Sequence, residues 1–379
     1  MSEKALASLR TWLAAPMDPA ISHALDQIRR APDTGWVAVM PDVHFAADVC
    51  IGVAMATSTL LYPQAVGGDV GCGMLAVGFD ATGEGLRNPG IAHQVLAALR
   101  QAVPARRRNR NRVVDLPSEL AGVALSCASL EPVRRGEGAV EFATLGSGNH
   151  FVEIQVDHDD RLWLMIHSGS RAPGQAIRDF HLARAQPVTN RFRALDSRSE
   201  AGRAYLHDAG WARRYADASR KAIGGAVEGV LLRLLGARAC WDTQISTDHN
   251  HVALETHFGR EVWVHRKGAM SAQQGQSGVL PGSMGTLSFH VEGRGHADAL
   301  CSSAHGAGRK LSRTAARHAI PHQQFRREME GVWYDTRLAG QLRDEAPSAY
   351  KDVRAVLRAQ RELVKVTRTL RPLLNYKGV

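Results

Sequence analysis

The stretch Val66-Gly67-Gly68-Asp69-Val70-Gly71-Cys72-Gly73-Met74 places an acid and a thiol three residues apart among four glycines. Glycine lets a backbone turn tightly and approach a ligand closely, so Asp69 and Cys72 can converge on one point. A carboxylate oxygen beside a thiolate sulfur is a donor pair that suits a transition metal. The stretch therefore predicts a loop that begins a metal site, and other segments must supply the remaining ligands.

Composition and charge limit the classes of protein to consider. The chain has 379 residues, of which 44% are hydrophobic and 22% are charged, as is usual for a globular protein. It contains no apolar run of about 18 residues and no apolar signal-peptide core at the N-terminus, so we expect a cytoplasmic protein. The net charge of +10 favours polyanionic partners, with nucleic acid as the first candidate. The five cysteines form no CxxC pair, which disfavours a zinc ribbon or a redox dithiol.

Hydrophobic periodicity predicts an α/β (α+β) fold, with mixed β-sheets surrounded by helices in one large domain over residues 1–379. The first part of the chain predicts an amphipathic helical pair, which carries Leu6, Leu9 and Leu13 and then Ile21, Ala24, Leu25 and Ile28. Further helices are expected at 90–104, 176–186, 201–220 and 222–239, and the last 70 residues are expected to be mostly helical. Strands are expected at 37–40, 51–62, 74–79, 139–144, 151–156 and 162–167, followed by a strand-rich block over 243–292.

Five further segments share the Gly-, Ser- and Asn-rich character of the first, at 146–150, 167–171, 248–251, 281–285 and 305–309. Such loops at strand ends predict one shared polar site. The site then has one oxygen, one sulfur and three nitrogen donors, from Asp69, Cys72, His150, His167 and His249. This set suits Mn²⁺, Fe²⁺, Co²⁺ or Zn²⁺. Five ligands are more than the roughly four that bind a closed structural zinc ion. Because a thiolate can bridge two ions, the set also allows a two-metal site, the kind that catalyses phosphoryl transfer.

His305 stands apart from this donor set. It begins the motif His305-Gly306-Ala307-Gly308-Arg309, just before a helix expected over 309–313. A phosphate can rest at the start of such a helix, and an imidazole held beside phosphates can act as a nucleophile and form a phosphoramidate. A sixth metal ligand and a histidine that merely starts a helix are the other interpretations, and the residues alone leave all three open.

The densest positive run is Arg106-Arg107-Arg108-Asn109-Arg110-Asn111-Arg112. Arginines bind RNA phosphates and release counterions, so Arg106, Arg107 and Arg108 are candidate RNA contacts. The alternative is a solvated loop with no ligand.

The motifs also resemble those of one family over nearly the whole chain. In family order they lie at 40–44, 66–74, 146–153, 167–171, 249–250, 266–269, 281–285, 305–309, 312–313, 350–352 and 370–372. Many glycine-anchored motifs in one order make the match specific. The chain resembles the RtcB-type RNA ligases, which join RNA 3′-phosphate and 5′-hydroxyl ends. Within that family it resembles a divergent bacterial paralogue more than the housekeeping enzyme. The resemblance implies an RtcB-like fold with a central metal and nucleotide cleft.

The resemblance also implies roles for individual residues. Two Mn²⁺ ions would be bound by Asp69, Cys72, His150, His167 and His249, with Cys72 as the bridge between them. GTP would guanylylate His305, and Arg171 would contact an RNA terminal phosphate. The guanine-nucleotide pocket would be formed by Asn149, His150, Phe151, Val152, Glu153, His249, Asn250, Pro281, Gly282, Ser283, Met284, Ser288, His305, Gly306, Ala307, Gly308 and Lys377.

The implied activity is GTP- and Mn²⁺-dependent RNA ligation in RNA repair or tRNA splicing. His305 would attack the α-phosphorus of GTP, the RNA 3′-phosphate would take the GMP, and a 5′-hydroxyl would then displace it. Ends that carry a 2′,3′-cyclic phosphate would be opened before the second step. Two alternatives remain: an RNA 3′-end guanylylating or processing enzyme that does not seal, and an inactive RNA-binding paralogue.

Three places depart from the family pattern. After Pro41-Asp42-Val43-His44 the family usually continues with Leu-Gly-Lys-Gly, whereas this chain has Phe45-Ala46-Ala47-Asp48. The loss of a lysine and the gain of an acid predict weakened or retuned end-joining. His251 replaces a usual tyrosine and offers an additional ligand or a base contact, and His265 is expected to be an edge-strand variation.

Overall fold

The computed structural model describes residues 6–46 and 48–378. Within them the strands are β1 Ser8–Thr11, β2 Thr34–His44, β3 Ile51–Thr57, β4 Leu60–Leu61, β5 Gly73–Thr82, β6 Phe151–Val156, β7 Arg161–Ser168, β8 Gln186–Pro187, β9 Arg193–Asp196, β10 Ala239–Asp248, β11 Asn250–His257, β12 Arg260–Lys267, β13 Ala269–Ser271, β14 Ser277–Leu280, β15 Ser288–Gly293, β16 Ser302–Ala304 and β17 Val364–Lys377. The strands therefore occur along the whole chain, with helices between them.

The α-helices of the described residues are α1 Pro19–Arg30, α2 Glu84–Arg87, α3 Pro89–Ala102, α4 Ser118–Ala121, α5 Glu131–Arg135, α6 Glu137–Glu141, α7 Arg171–Arg184, α8 Glu200–Leu235, α9 Arg313–Ala319, α10 His322–Glu328, α11 Ala339–Leu342 and α12 Val353–Ala359. Short 3₁₀ turns lie at Pro63–Ala65, Arg110–Arg112, Ala128–Leu130, Ala297–Ala299, Thr336–Leu338, Arg343–Glu345 and Pro347–Ala349. None of the described helices has the length and apolar character that a membrane crossing requires.

A seven-stranded antiparallel sheet forms the framework for the functional loops. Its strand order is β10-β5-β7-β6-β17-β15-β14. One face buries an apolar core against α3 and α8, in which Leu75, Ile154 and Leu164 of the sheet pack near Val95 of α3 and Val227 of α8. Burial of this apolar surface stabilises the sheet and fixes the positions of its strand ends.

The other sheets pack around this framework. A five-stranded sheet has the order β1-β2-β3-β12-β11, and within it only β1 and β2 pair in parallel. A two-stranded sheet joins β13 to β16, and a three-stranded one has the order β4-β9-β8. The expectation of mixed sheets surrounded by helices is confirmed, and β10 to β15 confirm the strand-rich block over 243–292.

Several predicted helix bounds are wrong. The first helix of the expected N-terminal pair is absent from the described residues, because Ser8–Thr11 is β1 and pairs with β2; residues 1–5 lie outside the described residues. The second helix is α1, which the Asp18 side chain caps. The two helices expected at 201–220 and 222–239 are one helix, α8, since Gly224 in its middle does not break it. A Cβ on Gly224 would lie 2.8 Å from the Trp241 ring, so this glycine permits close packing against β10.

One strand prediction and one further helix prediction also need correction. The strand expected at 139–144 is helix α6 and the turn that follows it. The last 70 residues, expected to be mostly helical, do contain α9 to α12, but they end in the 14-residue strand β17 in the interior of the large sheet. Pro372 interrupts the β17–β6 register, as proline in an interior strand must, since it has no N–H for the ladder.

Candidate metal and nucleotide site

The five predicted metal ligands lie at neighbouring ends of four strands. They occupy the loop before β5, the residue before β6, β7 itself and the turn between β10 and β11: Asp69, Cys72, His150, His167 and His249. In the sheet register His167 lies opposite both Met74 of β5 and Phe151 of β6, and Asp248 of β10 lies opposite Gly73. The strand order therefore brings together donors that are far apart in the chain.

Their donor atoms form two groups that share one sulfur. The Sγ atom of Cys72 lies 3.5 Å from Nε2 of His150 and 3.3 Å from Nε2 of His167. Asp69 Oδ2 lies 3.1 Å from Nε2 of His150, and Nε2 of His249 lies 3.4 Å from that of His167. In each of the two triads, Asp69–Cys72–His150 and Cys72–His167–His249, the donor atoms lie within 4.8 Å of one another. A thiolate at this position suits a bridge between two cations.

Backbone carbonyls fix the orientation of two of the imidazoles. Nδ1 of His150 donates to the Leu145 carbonyl at 3.0 Å, and Nδ1 of His167 donates to the Asn149 carbonyl at 3.1 Å. A carbonyl oxygen only accepts, so the proton sits on Nδ1 and the Nε2 lone pair faces the other donors. This is the arrangement that orients histidines toward metals.

The pKa values of the clustered side chains indicate a site that suits a bound cation. Burial, aided by the nearby Asp69 carboxylate, raises the pKa of the Cys72 thiol well above its usual value. Burial also lowers the pKa of His167 and of His249, so both are neutral donors. Burial alone would raise the pKa of Asp69, but its polar contacts with His150 and Cys72 outweigh burial and lower that pKa to about 2. A buried thiol, carboxylate and set of imidazoles fit divalent cations, which deprotonate the thiol and compensate the carboxylate.

Close backbone packing holds the Asp69–Cys72 loop in place. Gly169 adjoins the Asp69 carboxylate so closely that a Cβ at this position would overlap Oδ1. From behind, the buried Arg220 donates to the carbonyls of Gly71 at 2.8 Å and Ser168 at 3.0 Å. These contacts join the loop to the end of β7 and fix the spacing of the donors.

His305 lies beside the donor cluster but outside both triads. Its ring centroid is 4.5 Å from that of His249. Its Nδ1 lies 2.7 Å from Oδ2 of the buried Asp42, and its backbone N–H donates to the same oxygen at 3.1 Å. The helix expected over 309–313 begins only at Arg313, so His305 does not start a helix. Sequence reasoning missed Asp42, although the motif at 40–44 contains it.

A cavity of about 290 Å³ opens between His305 and the end of β17. It reaches His167 of the donor cluster. Most of the predicted nucleotide pocket lines it: Asn149, Phe151, Glu153, Pro281, Gly282, Ser283, Met284, Ser288, His305, Gly306, Ala307, Gly308 and Lys377. Four predicted members do not line it: His150, Val152, His249 and Asn250. Val152 points into the apolar core, and the Asn250 amide instead donates to the Asp69 carbonyl at 3.1 Å.

One wall of the cavity is a buried network of charges that sequence reasoning largely missed. The Glu345 carboxylate pairs with Lys377, lies 2.6 Å from Arg313, and accepts a 2.8 Å hydrogen bond from the Tyr350 hydroxyl. Burial alone would raise the pKa of Glu345, but Lys377 and Arg313 lower it below its usual value. Tyr350 opens one of the family motifs, whereas nothing in the local sequence marks Glu345.

A second carboxyl group in the cavity, that of Glu153, has a raised pKa, whereas the pKa of Glu345 is lowered. Burial raises the pKa of Glu153 to about 8, although the side-chain amides of Gln155 and Asn375 donate to it. The amide oxygens of Gln155 and Asn375 have no partner among the described residues. An amide flip would let either one accept from a protonated Glu153. A neutral acid at the cavity floor is therefore compatible with its surroundings.

Comparison with known proteins identifies the family. A family model described as tRNA-splicing ligase RtcB matches residues 25–131 and 121–378. The chain belongs to the RtcB family. It is 36% identical over 373 residues to the RNA-splicing ligase RtcB of Escherichia coli K12, with 90% of each chain covered. It is 29% identical to that of Mycobacterium tuberculosis, over 89% of this chain and 96% of the other, and 28% identical to the tRNA-splicing ligase RtcB of Pyrobaculum aerophilum, over 90% and 88%.

The arginines considered for RNA contact differ in their surroundings. Arg171 has a left-handed backbone with φ 59°, and its buried Nε has no hydrogen-bond partner among the described residues. Arg106 is exposed. Arg107 lies 3.7 Å from Glu137. Arg108 donates to the carbonyls of Ala102 at 3.0 Å and Ala143 at 2.9 Å, so it holds its own segment and would have to break both bonds to grip a phosphate.

Two histidines that depart from the RtcB pattern face away from the donor cluster. His251 Nδ1 lies 2.8 Å from the Asp248 carboxylate, and its Nε2 accepts from Arg266 at 3.1 Å, so the two ring nitrogens face residues other than the predicted metal donors. His265 accepts from the Tyr62 backbone N–H at 3.0 Å. It lies on β12, between β3 and β11, so the expectation of an edge-strand position is wrong.

Proposed function

We propose that this RtcB-family chain is a GTP- and Mn²⁺-dependent RNA ligase that joins 3′-phosphate or 2′,3′-cyclic phosphate ends to 5′-hydroxyl ends. The carrying observation is the position of His305, between the two-triad donor cluster and a cavity that ends at Lys377. The names of the relatives, RNA-splicing ligases, support an RNA substrate. RNA repair and tRNA splicing are the two settings that this activity fits.

In the first step, Nε2 of His305 attacks the α-phosphorus of GTP, and pyrophosphate leaves. Asp42, 2.7 Å from Nδ1, holds the proton on that nitrogen and stabilises the positive charge that develops on the ring. Lys377 and Arg313 supply positive charge at the cavity wall, where Glu345 orients them. Asp69, Cys72, His150, His167 and His249 would hold two Mn²⁺ ions, which supply Lewis acidity and neutralise phosphate charge when bound.

In the second step, an oxygen of the RNA 3′-phosphate attacks the phosphorus of the histidine-bound GMP and releases His305. The RNA then ends in a 3′-to-5′ pyrophosphate linked to guanosine. A cyclic phosphate end is first opened by water. In the last step, the 5′-hydroxyl of the second RNA attacks the phosphorus of the original 3′-phosphate, and GMP departs. Arg171, whose buried Nε has no hydrogen-bond partner among the described residues, would bind the 3′-phosphate.

The test begins with protein, Mn²⁺ and GTP labelled at the α-phosphate. We expect an acid-labile, alkali-stable label on the protein, and none on His305→Ala. A label that persists in His305→Ala would refute the assignment of the nucleophile. RNA with a 3′-phosphate and a 5′-hydroxyl should then be sealed with release of GMP.

A second candidate is an enzyme that guanylylates or processes RNA 3′ ends without sealing them. It is favoured by the altered residues that follow His44, because His44 lines the cavity and the expected lysine is absent beside it. Guanylylated RNA that accumulates without a joined product would identify this activity. The alternative of an inactive RNA-binding protein would be favoured if elemental analysis found no transition metal and labelled GTP left no label on the protein.

A further inference from the structure

The described residues between β2 and β3, 45–46 and 48–50, form one lip of the nucleotide cavity. His44 ends β2, Ile51 begins β3, and both line the cavity, so this lip lies between two points of its rim. The strand end is held firmly, since Nζ of Lys351 donates to the carbonyls of Pro41 at 3.0 Å and Val43 at 2.7 Å. Ile51 also packs close to Gly268, where a Cβ would overlap the Ile51 side chain and lie 3.2 Å from the ring of His305.

The same lip adjoins the positively charged side of the metal loop. A Cβ on Gly67 would lie 3.4 Å from the Lys267 side chain, and one on Gly68 would lie 3.3 Å from the Arg178 guanidinium. Burial lowers the pKa of Lys267, and the nearby Asp48 carboxylate opposes that effect. The lip therefore lies between the cavity of His305 and Lys267, which flanks the loop of Asp69 and Cys72.

Phe45 is the aromatic side chain that this lip exposes. It is 57% exposed, and no ring pairs with it among the described residues. The other strongly exposed aromatics lie elsewhere: Phe258 packs against Trp36 with ring centroids 4.5 Å apart, and Trp241 donates to Glu228. None of these three rings lines the cavity itself, but Phe45 directly follows His44, which does.

We propose that Phe45 stacks on the 3′-terminal nucleobase of the RNA whose 3′-phosphate accepts GMP. This inference rests on the proposed function. A single-stranded end exposes its base, and aromatic rings are the usual platform for such bases. Asp48 adds a negative charge to this lip, which weakens the attraction for phosphate there. The interaction therefore shifts from the RNA backbone to the base, and purines, which stack over a larger area, are preferred.

The test measures binding before chemistry. Labelled RNA oligonucleotides with a 3′-phosphate and either adenosine, uridine or an abasic site at the last position are titrated with Mn²⁺-loaded protein, without GTP, and followed by fluorescence anisotropy. We expect adenosine to bind roughly 5- to 150-fold more tightly than the abasic end, which is the range of base–aromatic stacking. Phe45→Leu, which keeps an apolar side chain but removes the ring, should abolish the difference, and Phe45→Tyr should retain it.

Phe258→Leu is the matched control, because it removes an exposed ring outside the lip and should leave the preference unchanged. The inference is overturned if wild-type protein binds abasic and adenosine ends equally, or if Phe45→Leu keeps the preference. It is also overturned if only the base at the 5′-hydroxyl end matters. Labelling of the wild-type protein by GTP is measured in parallel. Its absence would refute the proposed ligase, whereas the anisotropy result decides the stacking interaction separately.

Discussion

Replacement of Asp42 by asparagine tests whether a buried carboxylate holds His305 ready for attack. Asp42 Oδ2 lies 2.7 Å from His305 Nδ1 and also accepts from the His305 backbone N–H. Its other oxygen, Oδ1, has no hydrogen-bond partner among the described residues. Asparagine can therefore keep the bond to the backbone and place its amide nitrogen where no existing hydrogen bond is broken, so the fold should persist while the negative charge disappears.

The magnitude follows from the distance and the burial of the pair. At 2.7 Å and an effective dielectric constant of about 20, two unit charges attract by about 6 kcal/mol. The asparagine dipole keeps part of this, and removal of one partner of a buried pair typically costs about 3–5 kcal/mol. Because the ring becomes cationic only as Nε2 bonds to phosphorus, the cost falls on the transition state. Guanylylation of Asp42→Asn should therefore be about 10² to 10⁴ times slower.

The assay is single-turnover labelling of the protein with α-labelled GTP in Mn²⁺, with unfolding monitored in parallel. The chain offers a control in Asp208, which lies 2.7 Å from His181 in a buried pair between α7 and α8. Asp208→Asn should lower stability and leave the labelling rate unchanged. Labelling of Asp42→Asn at the wild-type rate would show that the carboxylate does not act on His305.

Three further outcomes are expected. Cys72→Ser should lose metal by elemental analysis and all ligase activity while it remains folded, whereas Cys301→Ser should retain both; full metal content in Cys72→Ser would disprove the bridge. Glu153→Gln should flatten the pH dependence of stability. In the wild type the folded chain keeps a proton that the unfolded chain releases, so the free energy of unfolding should fall as pH rises from about 4.5 to about 8; an equal slope in the variant would contradict this. Substitution of the three exposed arginines Arg106, Arg110 and Arg112 by glutamine should weaken the salt dependence of RNA binding. The slope of log binding constant against log salt concentration should fall by about 0.7 for each RNA phosphate that is no longer neutralised. The same substitution of three other exposed arginines, Arg30, Arg294 and Arg361, should leave the slope unchanged.

The donor cluster could be predicted from sequence because each ligand lies in a short glycine-rich motif. An acid and a thiol as close as Asp69 and Cys72 indicate a metal site that needs further ligands. His150, His167 and His249 lie in motifs of the same kind. The resemblance to the RtcB family, and not a local pattern alone, located most of the cavity lining. It failed at Val152, where strand alternation turns the side chain into the core.

The remaining parts of the site depend on interactions between distant residues. Asp42 meets His305 across 263 positions of the chain, and Glu345 meets Lys377 only because β17 joins the sheet. No local pattern encodes such pairs. The helix predictions failed where strand pairing or packing overrides periodicity. Residues 8–11 form β1 because they pair with β2. Helix α8 continues through Gly224, where the missing side chain leaves room for the Trp241 ring.

The position of β17 has a consequence for the order in which the protein matures during synthesis. All five predicted metal donors and His305 precede this strand, so the ribosome delivers them first. Until residues 364–377 emerge, β6 and β15 lack their shared neighbour, the large sheet is split into two parts, and the cavity has no Lys377. A nascent chain can therefore bring its thiol and imidazoles together before the cavity is complete. With the proposed function, reactivity toward GTP would begin only after the last strand is in place.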